Sequence, residues 1–262
     1  MARAPLQVQP STASPFPAPT IYNPAMLGFL AAAGVATLAA CAGYNTMAPR
    51  SQLFGQTFIG AGEGSRQLAL TFDDGPNDPW TPRLLEVLDR HQIRATFFLI
   101  GRFVAQQPDI ARQIAAAGHV IGNHTYDHPN LIFAGPREVE NQVRRCADAL
   151  QQAVDGHSNL FRPPYGGRTP QVLRTVRRCG LVPVLWSVSG WDWEAKSAAQ
   201  IENKVMGSLE GGEVILLHDG GHRYLGVDRC FTVSAVEQII QRCHDQGFTF
   251  VTVPEMMKII VE

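Results

Sequence analysis

The sequence predicts a parallel α/β fold, and three observations lead there. Short apolar runs recur between residues 67 and 253, separated by stretches with helical periodicity. Several of the runs are apolar at consecutive positions, as in strands covered on both faces. Strand and helix alternate along the chain, as successive βαβ units require.

The elements follow in order. The first strand is Gln67–Phe72, and the helix Thr81–His91 after it puts Leu84, Leu85 and Leu88 on one face, with Pro82 in its first turn. Ala95–Ile100 is a buried strand, Pro108–Gly118 a helix stopped by its glycine, and Val120–Asn123 a short strand. Arg137–Val154 is a longer helix with Val139, Val143, Cys146 and Leu150 in register. Asn159–Arg162 is a strand, Thr169–Cys179 a helix closed by Gly180, and Leu181–Ser187 a strand. The last third repeats the theme with helix Ser197–Leu209, strand Val214–His218, helix Thr232–Gln246 and strand Phe248–Val253. Seven strands and at least six helices result, and the pattern by itself fits an open sheet and a barrel alike.

Composition narrows the function classes. At 45% hydrophobic and 17% charged residues the chain is globular in character, and 262 residues suit one large domain or two small ones. A net charge of −1, with no long run of one sign, gives no footprint for nucleic acid and no polybasic membrane patch. The Pro-rich residues 1–25 read as a disordered lead. Met26–Gly43 is apolar and uncharged, long for the core of a signal peptide and short for a membrane span. Its end, Leu38-Ala39-Ala40-Cys41, resembles a bacterial lipobox, although the only upstream basic residue is the distant Arg3. Lipoprotein, plain signal peptide and single membrane anchor all place the domain outside the cytoplasm, and the first and last would anchor it to the membrane through this segment. Cys146, Cys179, Cys230 and Cys243 lack C-x-x-C spacing, so they read as core residues or disulfide partners in one of three pairings.

In parallel α/β folds functional groups gather after the C-terminal ends of strands. Here those ends carry Asp73-Asp74, His124 and His128, Arg162 with Tyr165, Trp191-Asp192-Trp193, and His218-Asp219. Adjacent residues of a strand face opposite ways, so Asp73 and Asp74 serve one site only if the strand stops there. Gly75-Pro76 supplies a break, though the same residues also make ordinary turns. The i, i+4 spacing of His124 and His128 lets two imidazoles converge on a metal, and a carboxylate would complete a catalytic zinc-type site. His218, ending an apolar strand, suits a proton donor kept charged by a carboxylate, with Asp192 and Asp219 both in reach. Arg162 can pair with an aspartate at the same rim. Tyr165, Trp191 and Trp193 offer flat faces for sugar rings. His222 lies near the rim without a role.

Five segments in this order resemble the motifs of the polysaccharide deacetylase family, the NodB-homology domain of carbohydrate esterase family 4. They are "TFDDGP" (71–76), "HTYDH" (124–128), "RPPYG" (162–166), "GWDW" (190–193) and "LLH" (216–218). The resemblance covers roughly residues 66–256 and implies a distorted (β/α) barrel of about seven parallel strands. It implies that Asp73 is the general base and that Asp74, His124 and His128 hold one divalent metal, zinc or else cobalt or another ion. It further implies that Arg162 orients Asp73 and that the Tyr165 N–H helps hold an oxyanion. Asp192 would tune His218 as the general acid, Trp193 would line the groove, and Leu216 would shape an acetyl pocket. One position departs from the family pattern: an acid commonly precedes "GWDW", and here it is Ser189. That bears on substrate preference and on the electrostatic support of Arg162 or Asp73.

The expected organisation is a lead with an apolar targeting segment (1–45), a linker (46–65) and the deacetylase domain (66–262). The expected activity is metal-dependent removal of N-acetyl groups from N-acetylglucosamine units of peptidoglycan, chitin or a similar glycan, in the bacterial envelope or secreted. An O-acetyl esterase acting on a polymer such as xylan and a non-catalytic glycan-binding protein are the alternatives. A complete set of acid, base and ligand residues argues against the last.

Overall fold

The computed structural model describes residues 24–259. The disordered lead expected at residues 1–25 lies almost wholly outside them. The chain divides into two units between Ala42 and Gly43. The first holds most of helix α1 (Pro24–Met47), which bears no charged residue. Gly28–Met47 is long and apolar enough to cross a membrane, a property that signal sequences share.

The second unit is a curled sheet of parallel strands with helices packed outside. Its elements are β1 (Gln67–Asp73), α2 (Trp80–Arg90), β2 (Thr96–Leu99), α3 (Gly101–Gln106), α4 (Pro108–Ala116), β3 (Val120–Asn123) and α5 (Pro136–Ala153). Then come β4 (Leu160–Phe161), α6 (Pro170–Arg178), β5 (Val182–Pro183), β6 (Val188–Ser189), α7 (Ala198–Met206), β7 (Val214–His218), α8 (Cys230–Asp245), β8 (Thr249–Phe250) and α9 (Val253–Ile259). The sheet order is β5-β4-β3-β2-β1-β7-β6, with β8 paired to the start of β1. Helix starts follow local chemistry. Thr169 and Ser197 accept bonds from Val172 N and Gln200 N as N-caps, and prolines open α4, α5 and α6.

The single strand expected at Leu181–Ser187 is instead two short strands at opposite ends of the sheet. β5 pairs with β4, and β6 pairs with β7. One segment therefore serves both edges, and this curls the sheet into the barrel. Phe58 bridges to Val184 and Gly60 to Glu213 beside this seam, so part of residues 46–65 is built into the barrel. α3 and α9 were not expected; each is six or seven residues long, too short for a periodic signal. The cysteines of the barrel form no disulfide, and burial pushes the thiols of Cys146 and Cys243 up to about 12.

Alternation along the strands sorts the side chains. Leu68, Leu70 and Phe72 of β1 pack outward against the helices, together with Phe97, Leu99, Ile215 and Leu217. Ala69, Phe98, Leu160 and Val214 point into the barrel, where Val253 and Met256 of α9 join them. The same parity sends Asp73 and His218, which are partners in register, inward at one level.

Phe97 is fully buried on a central strand, 5.1 Å from the Phe72 ring. Phe97→Ala is expected to cost about 3–5 kcal/mol, read as a lower urea midpoint at unchanged slope.

Candidate active site

The inward-facing ends of the strands assemble one site. Arg162 follows β4 and has no exposed surface. Its Nη1 donates to Asp73 Oδ1 and to Thr71 Oγ1, each at 2.8 Å, and its Nη2 donates to the Leu185 carbonyl at 3.1 Å. The Phe98 ring lies 4.2 Å beneath the guanidinium. Burial lowers the pKa of Arg162, with Asp73 opposing that shift. Its Nε is buried without a partner, and Ser189, where the family commonly has an acid, does not reach it.

Asp74 reaches the same side as Asp73 because the backbone turns over between them. Asp74 has φ 74°, the left-handed region that costs a non-glycine residue energy. Thr125, His128, Tyr165 and Trp191 share positive φ at the other strand ends. A Cβ on Gly220 would stand 2.3 Å from the Asp74 carbonyl, so the turn depends on glycine there.

Asp74 Oδ1 faces two imidazoles, His124 Nε2 at 3.5 Å and His128 Nε2 at 3.3 Å. The three ligand atoms lie within 4.8 Å of one another, and all three residues are buried. His124 Nδ1 lies 2.8 Å from the Arg162 carbonyl, which can only accept. Nδ1 therefore carries the proton and Nε2 presents its lone pair. Burial alone would raise the Asp74 carboxyl, but His124 and His128 beside it hold it well below the usual range. Burial pulls the His128 imidazole down to about 3, against the charge of Asp74, so it is a neutral donor. Asp74 Oδ1 has no hydrogen-bond partner despite its burial. An orphaned carboxylate oxygen between two imidazole nitrogens fits a divalent cation.

His218 stands at the end of β7. Its Nδ1 lies 2.8 Å from Asp192 Oδ1, and its backbone N–H donates to Asp192 Oδ2 at 2.8 Å. Thr232 Oγ1 donates to the same Oδ2 at 2.9 Å. Burial disfavours the charged imidazole, yet Asp192 outweighs it and raises the His218 pKa above its ordinary value. Asp192 is the partner, and Asp219 is not: its carboxyl turns away to Thr81 Oγ1, and burial pushes it up to about 7.

Asp73, Asp74, His124, His128, Tyr165, Trp193, Leu216 and His218 line one cavity of about 630 Å³. Arg162 and Asp192 stand behind it, bonded to Asp73 and His218. The rings of Trp191 and Trp193 lie 5.1 Å apart, both half-exposed. His222, expected near the rim, lines the cavity: it stacks on His128 at 4.8 Å with its Nδ1 3.9 Å from Asp74 Oδ2. Met47 and Pro49 also line the cavity, although the sequence gives them no functional signal. In contrast, His119 is structural: its Nδ1 accepts the Ala95 N–H at 3.1 Å, and burial pulls it down to about 4.

Arg162→Met leaves the buried Asp73 carboxylate unpaired and is expected to cost about 3–5 kcal/mol in chemical unfolding. Adding Asp73→Asn to that variant should restore much of the loss, as a double-mutant cycle would read.

Residues 61–184 match the polysaccharide deacetylase family. The chain is 39% identical over 201 residues to a chitooligosaccharide deacetylase of Sinorhizobium fredii, covering 74% of this chain and 94% of that protein. It is 40% identical over 194 residues to a peptidoglycan-N-acetylglucosamine deacetylase of Bacillus cereus, covering 73% and 68%. The solved Bc1960 peptidoglycan N-acetylglucosamine deacetylase, in complex with a benzamide compound, is 38% identical with a TM-score of 0.71, covering 76% of this chain and 91% of that one. BA3943, a family 4 pseudoenzyme from Bacillus anthracis, superimposes with a TM-score of 0.70 at 25% identity, covering 76% and 67%. With identity of this order along nearly the whole of the Sinorhizobium relative, the chain belongs to the polysaccharide deacetylase family.

Proposed function

We propose that the chain is a metal-dependent hydrolase that removes N-acetyl groups from N-acetylglucosamine units of a glycan such as peptidoglycan or chitin, releasing acetate. One observation carries the reading. A carboxylate fixed by Arg162 and an imidazole fixed by Asp192 stand at one level of the barrel, beside the Asp74, His124 and His128 donor set. A glycan-binding protein needs neither an acid nor a base. The Bacillus anthracis pseudoenzyme shares this fold, so the side chains and not the architecture distinguish an active member.

In this reading Asp74, His124 and His128 hold the divalent metal, zinc or else cobalt or another ion. When bound, it supplies Lewis-acid polarisation of the acetamide carbonyl and a lower pKa for water. Asp73 is the general base. Arg162 occupies its Oδ1, which leaves Oδ2 to take a proton from the attacking water. The Tyr165 N–H, turned by its positive φ, donates to the oxygen on which charge develops. His218, kept protonated by Asp192, gives its proton to the departing amine. Leu216 shapes the floor for the acetyl methyl, and Trp193 lines the groove for the sugar face. O-deacetylation would use the same groups. The N-acetylglucosamine activity named for the Bacillus cereus relative favours the amide reading.

The apolar segment supports targeting outside the cytoplasm, as a lipoprotein carried on Cys41 or as a secreted protein. In this organisation residues 1–45 deliver the chain, 46–65 connect it while in part building into the barrel and its cavity wall, and 66–262 carry the catalytic groups.

Asp73→Asn is expected to reduce acetate release from chitooligosaccharides by about 10²–10⁴-fold while one divalent metal per chain remains by elemental analysis. Loss of the metal instead would mean that base and ligand are exchanged.

The pH dependence follows from the sign of the His218 shift. A raised pKa holds the acid form to higher pH than an ordinary imidazole would, so on the alkaline side activity falls as pH rises through that raised value. Asp192→Asn removes the charge that raises it. The alkaline limb of the kcat profile should then move to lower pH, with kcat at pH 7 down by about tenfold or more.

A further inference from the structure

Residues 46–51, the last two residues of α1 and the turn after it, are few and polar in part, yet a buried arginine is committed to them. Arg168 is 1% exposed. Its Nη1 donates to the Gly166 carbonyl at 3.1 Å and to the Thr46 carbonyl at 3.4 Å. Its Nη2 donates to the carbonyls of Ala48 and Ser51, the latter at 2.8 Å. Its backbone N–H donates to the Thr46 carbonyl at 3.1 Å. Among the described residues no carboxylate pairs with this guanidinium. Its charge is met by carbonyl oxygens, and burial lowers its pKa. Arg50 extends the seam by donating to the Ser187 carbonyl at 3.3 Å, on the segment between β5 and β6. The fastening thus joins the exit of the apolar helix to the loop that carries Tyr165 and Gly166.

Met47, Pro49 and Arg50 lie between the clamped carbonyls, and Met47 and Pro49 line the cavity that holds Asp73 and His218. Met47 is 43% exposed and Tyr165 45%, whereas Leu216 is 3% exposed. Met47 therefore stands at the mouth of the cavity and not on its floor. A thioether and a pyrrolidine ring are apolar and adaptable surfaces, suited to the hydrophobic face of a pyranose or to an N-acetyl methyl group. We propose that Met47 and Pro49, held by Arg168, form a substrate-contacting wall for the sugar units flanking the one that is deacetylated. The segment leaving the apolar helix is then a specificity-determining part of the groove, and Arg168 is its positioning residue. This inference rests on the deacetylase reading for the identity of its ligand.

The test uses the full chain, zinc-loaded, in detergent micelles, with chitobiose and chitohexaose as substrates. Met47→Ala is expected to raise KM for chitohexaose by about 5- to 30-fold, the range for losing one apolar side-chain contact, and to raise KM for chitobiose much less. Arg168→Ala should reproduce that length-dependent change, and Met47→Ala should add little on top of it, because both remove one wall. Arg168→Lys, which keeps the charge but not the planar fork, covers the case in which Arg168→Ala fails to fold. Equal KM changes for the two lengths, or parental KM values in the Met47 variant, would overturn the proposal. Calorimetric binding of chitohexaose separates the two readings. A parent that binds but releases no acetate overturns the deacetylase reading, while weaker binding by Met47→Ala still supports the wall. A parent that does not bind overturns both.

Discussion

A guanidinium with no exposed surface sits inside the barrel, and it ties three parts of the barrel together. Arg162 follows β4, its Nη1 reaches Asp73 and Thr71 of β1, and its Nη2 reaches Leu185 on the segment that closes the seam. Removing such a charge from water is costly, so it persists only where every available acceptor is brought to it. Thr71 Oγ1 in turn donates to the Ile215 carbonyl of β7, which brings a third strand into the network. The constraint that fixes the orientation of Asp73 is therefore also one that holds the curled sheet closed.

Around this centre the backbone is less comfortable than elsewhere. Six non-glycine residues have positive φ among the described residues, and five of them lie at the strand ends around the cavity. Such conformations survive where packing over-determines them. At Asp74 the reason is visible. A continuing strand would send its side chain outward among the helices, and only a left-handed turn brings it back beside His124 and His128.

Much of this was legible in the sequence, for reasons that can be stated residue by residue. The strands of the sheet centre are long enough and apolar enough to be read one by one, and the ionisable residues after them mark the rim. Leu181–Ser187 misled because it is apolar throughout, and apolarity does not say that Val182 and Val188 pair with opposite edges. By chain position Asp192 and Asp219 were both candidates for His218, and only the family resemblance pointed to Asp192, since distance along the chain says nothing about which carboxylate turns inward. Arg168 and Met47 carried no signal at all. Their roles depend on a carbonyl clamp, and any sequence supplies carbonyls.

The inward parity of β1 and β7 has a consequence for how the chain must fold. Asp73 and His218 are register partners, and their neighbours Phe72 and Leu217 are fully buried on the opposite face. A slip of one residue in either strand would exchange these sets, putting a charged group under the helices and an aromatic or leucine side chain into the cavity. Misregistered molecules would thus lose stability and chemistry together. Quality control that removes unstable chains would remove inactive ones by the same act, with no separate check on the site.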